Sequence, residues 1–247
     1  MQHISVGLEQ KMDYYMSESF KSLRTNILFC GSENKVIAFT SCTPNEGKSS
    51  VSLKMAISMA EAGKNVLFID ADLRKSVLAG CYKLDKPLRG LSHFLSGQEK
   101  FDEVVCVTEI ENLHMVFSGP VPPNPAELLG NRKFELLLNE LRKVYDYVII
   151  DTPPLGYVID AAVVAEQCDG AIMVVESKAV SYKFAGKIKE QLERSNCKIL
   201  GVVLNKVERR ERGLYGRYYG GYYGKYYGKY YGKYYGKYYG HEENKDK

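Results

Sequence analysis

An α/β fold, with a mainly parallel sheet covered by helices on both faces, is predicted by three observations. Short β-branched or aromatic runs alternate with longer helical patterns from residue 17 to residue 204. The runs are continuously apolar rather than alternating, as strands buried on both faces must be. Two of them end in aspartate, Asp70 and Asp151, and the carboxyl ends of parallel strands open onto the ligand crevice of such sheets.

Taken in order, Ser17–Phe29 spaces Phe20, Leu23, Ile27 and Leu28 for one buried helix face. Val36–Thr40 is the first strand, and Ser49–Ala62 the helix after it. Val66–Ile69 is a strand, followed by a less regular crossover in which Leu91–Val105 reads as short helices. Leu113–Phe117 and Tyr147–Ile150 are strands flanking a single long helix over Pro125–Val144. Ala161–Glu166 and Lys183–Ser195 are helices, and Ala171–Val175 and Ile199–Leu204 complete the strands. This βα alternation gives a three-layer sandwich.

The chain has 247 residues, 45% of them hydrophobic, enough for one substantial core. We divide it into a folded domain over 1–212, whose first 30 residues are a helical segment, and a carboxy-terminal tail over 213–247. Between Arg217 and Gly240 one four-residue unit recurs six times: Arg-Tyr-Tyr-Gly, Gly-Tyr-Tyr-Gly, then Lys-Tyr-Tyr-Gly four times. A glycine at every fourth position makes ordering costly, and no aliphatic residue is present to offset it, so a disordered, flexible tail is expected. Thirteen of the 20 tyrosines lie here: Tyr215, Tyr218, Tyr219, Tyr222, Tyr223, Tyr226, Tyr227, Tyr230, Tyr231, Tyr234, Tyr235, Tyr238 and Tyr239. The tail displays phenolic hydroxyls as acceptors for modification.

The formal net charge of +4 belongs to the tail. Residues 217–240 carry five cations and no acid, which leaves the rest of the chain at −1. A near-neutral body argues against a broad nucleic-acid surface. Six scattered cysteines show no C-x-x-C or metal-ligand spacing and read as reduced thiols of a cytoplasmic protein. The amino terminus lacks a signal-peptide pattern, and no run of about 18 apolar residues occurs, so membrane association is expected only through a partner.

Directly after the first strand comes Thr40-Ser-Cys-Thr-Pro-Asn-Glu-Gly47-Lys48-Ser49-Ser50. Gly47-Lys48-Ser49 closes a G-x-x-x-x-G-K-[ST] phosphate loop. Glycine lets backbone N–H groups close around phosphate oxygens, lysine reaches the terminal phosphates, and serine binds Mg²⁺. The first glycine of the pattern is replaced by Cys42. The acidic strand ends, Asp70-Ala-Asp72-Leu-Arg74 and Asp151-Thr-Pro-Pro154, concentrate three carboxylates that a metal or a proton-transfer task would use. For Asp70 or Asp151 alone, helix or turn capping is the competing explanation; the combination with the phosphate loop favours chemistry.

These residues resemble the bacterial tyrosine kinases of capsule and exopolysaccharide systems, within the deviant-Walker P-loop ATPases. Thr40–Ser49 resembles the family's Walker A segment, Val66–Arg74 its second acidic motif, and Val148–Pro154 its Walker B; Gly119–Leu129 also matches a family stretch. The resemblance implies a P-loop NTPase-type fold that binds ATP and Mg²⁺ and phosphorylates its own tyrosine-rich tail. It implies nucleotide contacts from Thr43, Pro44, Asn45, Glu46, Gly47, Lys48, Ser49 and Ser50, with adenine read by Asn205. Ser49 would ligate Mg²⁺, with Asp72 and Asp151 in or near its shell. Lys48, Asp70, Asp72 and Asp151 form the expected catalytic set, with Asp70 accepting the tyrosine proton. Asn205 as a simple turn residue is the alternative.

Glu18, Lys21 and Arg24, at i, i+3, i+6, resemble an E-x-x-R-x-x-R motif that supports ring-like self-association. Lys21 replaces its middle arginine and loses bidentate carboxylate recognition; a solvated face with intrahelical pairs is the competing reading. The resemblance further implies a transmembrane adaptor that activates the kinase at the inner face of the cell membrane, and a phosphotyrosine phosphatase that reverses it. Two rival functions remain. A partitioning-type ATPase would carry a signature lysine where Thr43 stands. A nucleic-acid-binding module would use the Tyr-Lys interleaving of the tail.

Overall fold

The computed structural model of the chain describes residues 2–4, 13–78 and 89–208. The tail with its thirteen tyrosines, the last residues of the expected 1–212 domain and parts of its amino-terminal segment lie outside these residues. Eight strands form one sheet: β1 Gln2–Ile4, β2 Val36–Ser41, β3 Val66–Asp70, β4 Val105–Thr108, β5 Leu113–Val116, β6 Tyr147–Asp151, β7 Gly170–Glu176 and β8 Ile199–Asn205. Their spatial order is β1-β4-β5-β3-β6-β2-β7-β8. All neighbouring pairs are parallel except β4 with β5.

Among the described residues the helices are α1 Tyr14–Phe29, α2 Lys48–Ala60, α3 Leu91–Leu95, α4 Phe101–Val104, α5 Pro125–Leu129, α6 Arg132–Val144, α7 Asp160–Ala165 and α8 Tyr182–Glu193. The continuous apolar runs split residue by residue between two cores, as a period of two requires. Val36, Ala38, Leu67, Ile69, Val148 and Ile150 face the core built with α3 and α5–α8. Ile37, Phe39, Val66, Phe68 and Ile149 face the core built with α1 and α2. Two buried faces leave no position on the central strands for a polar side chain until the strand ends. There the aspartates appear.

Three elements differ from expectation. The helix expected over 125–144 is two helices: Gly130 ends α5, and the Asn131 side chain accepts a hydrogen bond from the Phe134 N–H (3.0 Å), capping α6. A capping side chain offers the backbone an alternative to continuing the previous helix. Strands β1 and β4 were not expected. They are three and four residues long, and their pairing, Gln2–Ile4 beside Cys106–Thr108, joins segments about a hundred residues apart. No local pattern encodes such a pairing.

Helix α6 illustrates how the layers are secured. Phe134, Leu137, Leu138 and Leu141 are buried against the sheet, whereas Leu136 is 53% exposed. Phe134→Ala is expected to lower the unfolding free energy by about 3–5 kcal/mol, and Leu136→Ala to change it by less than about 0.5 kcal/mol. Urea titrations of the two variants check the contrast, and equal losses would contradict this packing.

Candidate functional site

The site begins where β2 turns into α2. Gly47 is the N-cap of α2 with φ +84°, a backbone conformation only glycine adopts without strain. A Cβ there would lie 2.2 Å from the Asn205 side-chain nitrogen. The loop is braced from within by Glu46, whose buried carboxylate accepts from the N–H of Thr43 (2.7 Å) and of Glu176 (3.2 Å). Asn205 donates to the Glu46 carbonyl (2.8 Å), and Lys206 donates to the Asn45 carbonyl (2.7 Å) while pairing with Glu176 (2.8 Å). Gly156 closes the loop from the other side, since a Cβ there would meet the Cys42 carbonyl at 2.2 Å.

The missing first glycine is accounted for. Cys42 is fully buried, with its sulfur 4.0 Å from that of Met173, and it does not have the positive φ that would call for glycine. Burial, then the Glu46 carboxylate, push its thiol up to about 11, so it is a packing group rather than a nucleophile.

Beneath the loop lies a buried charge cluster. The Lys48 ammonium donates to both Asp151 oxygens at 3.0 Å and to the Ser49 hydroxyl at 3.0 Å. Ser52 also donates to Asp151 (3.0 Å). Parallel pairing of β3 with β6 sets Asp70 directly opposite Asp151. Asp70 is almost wholly buried, its oxygens accepting from the Ser76 hydroxyl and the Asp72 N–H. Burial and then the Asp151 carboxylate push Asp70 up to about 7, while Ser76 and Lys48 pull it the other way.

Above this cluster opens a cleft of about 470 Å³. Pro44, Asn45, Glu46, Gly47, Lys48, Ser49 and Ser50 line it, as does Asp72. Asp70 and Asp151 sit below its surface, and Thr43 spends its N–H on Glu46. Asn205 meets the loop from behind. The structure adds residues the sequence did not single out as site residues: Arg74, Tyr157, Pro153 and Pro154 line the cleft, and Ser52 and Ser76 hold the carboxylates. Arg74 forms a two-bond fork with the fully buried Asp160 (2.8 and 2.9 Å), tying the loop after β3 to the start of α7. Arg74 stood in the quoted acidic motif and was its visible signal; Ser52, Ser76 and Asp160 had none.

Among the described residues no three His, Cys, Asp or Glu side chains group closely enough to hold a metal ion alone. The available donors, Ser49 and Asp72, suit a hard cation that retains waters and takes its other ligands from phosphates. On α1, Glu18 pairs with Lys21 (2.7 Å) on the exposed surface. Arg24 instead donates to the Ser58 carbonyl (2.6 Å) in the last turn of α2, where a cation offsets the helix dipole. The three residues are therefore not one uniform solvent face. No helix among the described residues is long and apolar enough to cross a membrane, and the five described cysteines are free thiols.

Residues 34–199 match a family model described as an AAA domain, which carries nucleotide binding with it. Tyrosine-protein kinase CpsD of Streptococcus agalactiae is 44% identical over 203 residues, 81% of this chain and 89% of that protein. Tyrosine-protein kinase YwqD of Bacillus subtilis is 37% identical over 204 residues, 82% and 86% of the two chains. The solved kinase domain of the Escherichia coli tyrosine kinase ETK superposes with a TM-score of 0.77 at 32% identity, covering 84% of this chain and 82% of that one. The chain belongs to the bacterial tyrosine kinases, and this reading stands over that of a partitioning ATPase.

The folded state keeps a proton on Asp70 up to about pH 7, whereas the unfolded chain loses it near 3.8. This contribution to stability is complete below about pH 4 and is lost as pH rises through 7. Asp70→Asn, always neutral, is expected to escape that loss. Relative to the variant, the parent's urea-unfolding free energy should fall by up to a few kcal/mol between pH 4 and 8; parallel curves would rule out the burial of this charge.

Proposed function

We propose that the chain transfers the terminal phosphoryl group of ATP to the tyrosines of the carboxy-terminal repeat on a neighbouring copy of itself. The observation that carries this is the buried Lys48–Asp151–Asp70 cluster beneath a phosphate loop, in a chain that also bears thirteen tail tyrosines. Phosphate oxygens entering the cleft compete with Asp151 for the Lys48 ammonium and meet the N–H groups around Gly47. Asn205, behind that glycine, reads adenine. Ser49, with Asp72 and Asp151 directly or through water, would hold Mg²⁺, which would offset the charge of the phosphates.

The tyrosine oxygen forms a bond to the terminal phosphorus as the bond to the bridging oxygen of ADP breaks, and the phenolic proton passes to a carboxylate. Asp70, with a pKa near the operating pH, is our candidate acceptor. Positioning and charge stabilisation dominate such a transfer. Arg74, held by Asp160, keeps the loop after β3, which carries Asp72, against the cleft wall.

Each phosphotyrosine adds roughly −1.5 to −2 charges. Modifying the 12 repeat tyrosines therefore takes the segment from +5 to about −13 or below. The cationic tail is drawn to an acidic, nucleotide-loaded cleft, and the modified tail is repelled from it, which drives subunits apart. Family membership supports control of capsular or extracellular polysaccharide synthesis and export. It supports ring-like assembly through Glu18, Lys21 and Arg24, a transmembrane adaptor at the inner face of the cell membrane, and reversal by a phosphotyrosine phosphatase.

Mixing a Lys48→Met chain with an active chain truncated after residue 212, in the presence of Mg·ATP and the adaptor's cytoplasmic segment, is expected to place phosphate on the tail of the former. Mass spectrometry locates it. Label absent from the Lys48→Met tail, while the untruncated active chain labels itself, would mean transfer within one chain.

A further inference from the structure

A second cavity of about 510 Å³ shares no lining residue with the nucleotide cleft. It runs along α6, where Lys133, Leu136, Leu137, Glu140, Leu141 and Val144 fall at helical spacing on one wall, with Phe94, Phe101 and Tyr145 opposite or at its end. Leu136 and Val144 are 53% and 69% exposed, so the stripe continues out of the core onto the surface without a covering element among the described residues. Phe94 and Phe101 stand edge to face at 5.4 Å, a surface suited to further aromatic rings.

The charges on this groove are unequal in availability. Lys133 is already committed, lying 4.4 Å from the Phe94 ring centroid and donating to the Phe94 carbonyl. Asp102 has no partner among the described residues, and Glu140 is held only in an exposed i,i+3 pair with Lys143, which exchanges readily. The groove therefore offers an apolar, aromatic floor with acids at its rim.

Resting on the kinase reading above, we propose that this groove is a docking site for the unmodified Lys-Tyr-Tyr-Gly repeat of another copy, separate from the site of transfer. The repeat complements the groove: two aromatic rings to meet its aromatic floor, between successive lysines to meet its acidic rim. Positions 133 to 144 span roughly 17 Å of helix, and the four extended steps from Lys to Lys across one repeat, about 14 Å, fit within that length. Phosphate on either tyrosine would bring charge to an apolar floor beside Asp102 and Glu140, so the modified repeat leaves. Six tandem units let successive repeats occupy the groove while others enter the cleft. That raises the local concentration of acceptor at the active site.

The test uses full-length kinase as donor, full-length Lys48→Met as protein acceptor, and a short uncharged peptide with one tyrosine as a second acceptor. Leu136→Glu/Val144→Glu changes only exposed side chains. In the donor it is expected to raise KM for the protein acceptor at least about fivefold, leaving kcat and the short-peptide kinetics unchanged. Asp102→Lys in the donor should act in the same direction. A (Lys-Phe-Phe-Gly)₄ peptide, which docks without accepting phosphate, should inhibit the parent and not the double variant. Placed in the acceptor, the double variant should have no effect. Unchanged KM in the donor, or equal inhibition of both donors, overturns the proposal. A change of assembly mass in the double variant, read by light scattering, would assign the groove to a subunit interface instead. Failure of the parent on both acceptors would count against the kinase reading itself.

Discussion

One buried lysine holds the active end of this molecule together. Strand pairing places Asp70 opposite Asp151, and neighbouring strands lie only about 5 Å apart, so two carboxylates share a site from which water is nearly excluded. Lys48 answers this by bonding both oxygens of Asp151, and Asp70 responds by holding its proton towards neutral pH. Such a pair adds little net stability, yet removing one partner strands the other charge at a cost of about 3–5 kcal/mol. The arrangement is therefore poised: phosphate oxygens that draw Lys48 away from Asp151 meet a lysine already at the base of the loop.

That poise requires a loop that does not yield. Glu46 bonds two N–H groups from different segments, and Asn205 and Lys206 clamp two of the loop carbonyls. Gly47 and Gly156 permit the close approaches that bring these groups together. The clamps come from β8 and from the end of β7, while the carboxylates come from β3 and β6. The site is thus assembled from both sides of β2, and the twofold-covered sheet fixes their spacing. Arg74 and Asp160 add a tie between the loop after β3 and α7.

The acceptor side is organised on different physical terms. In the proposed docking, repeats without aliphatic residues would gain binding from single rings and single charges, each weak and each reversible by phosphate. In the proposed scheme, a cleft that performs chemistry and a separate aromatic groove that holds substrate divide the work. The first demands rigid donors and desolvated charge; the second demands exposed apolar surface with acids at its edge. Helix α6 serves both the core and this surface, with Phe134 and Leu138 on one side and Leu136 and Val144 on the other.

The sequence by itself determined the sheet's central strands, the phosphate loop and the acidic strand ends. Continuous apolar runs have one low-energy environment, and a glycine-lysine-serine turn between strand and helix has few other uses. It also determined the tyrosine repeat and its charge. Only the tertiary structure decided that Cys42 could replace a glycine, because its backbone does not take a positive φ there and its side chain packs in the core against Met173 of another strand. Pairing of β1 with β4, the inward turn of Arg24 to Ser58, the bonds of Ser52 and Ser76 to the two carboxylates and the burial of Asp160 were likewise settled by contacts distant in sequence. Local patterns record what a residue does to its own neighbours along the chain; charge pairing and desolvation depend on what folding brings alongside.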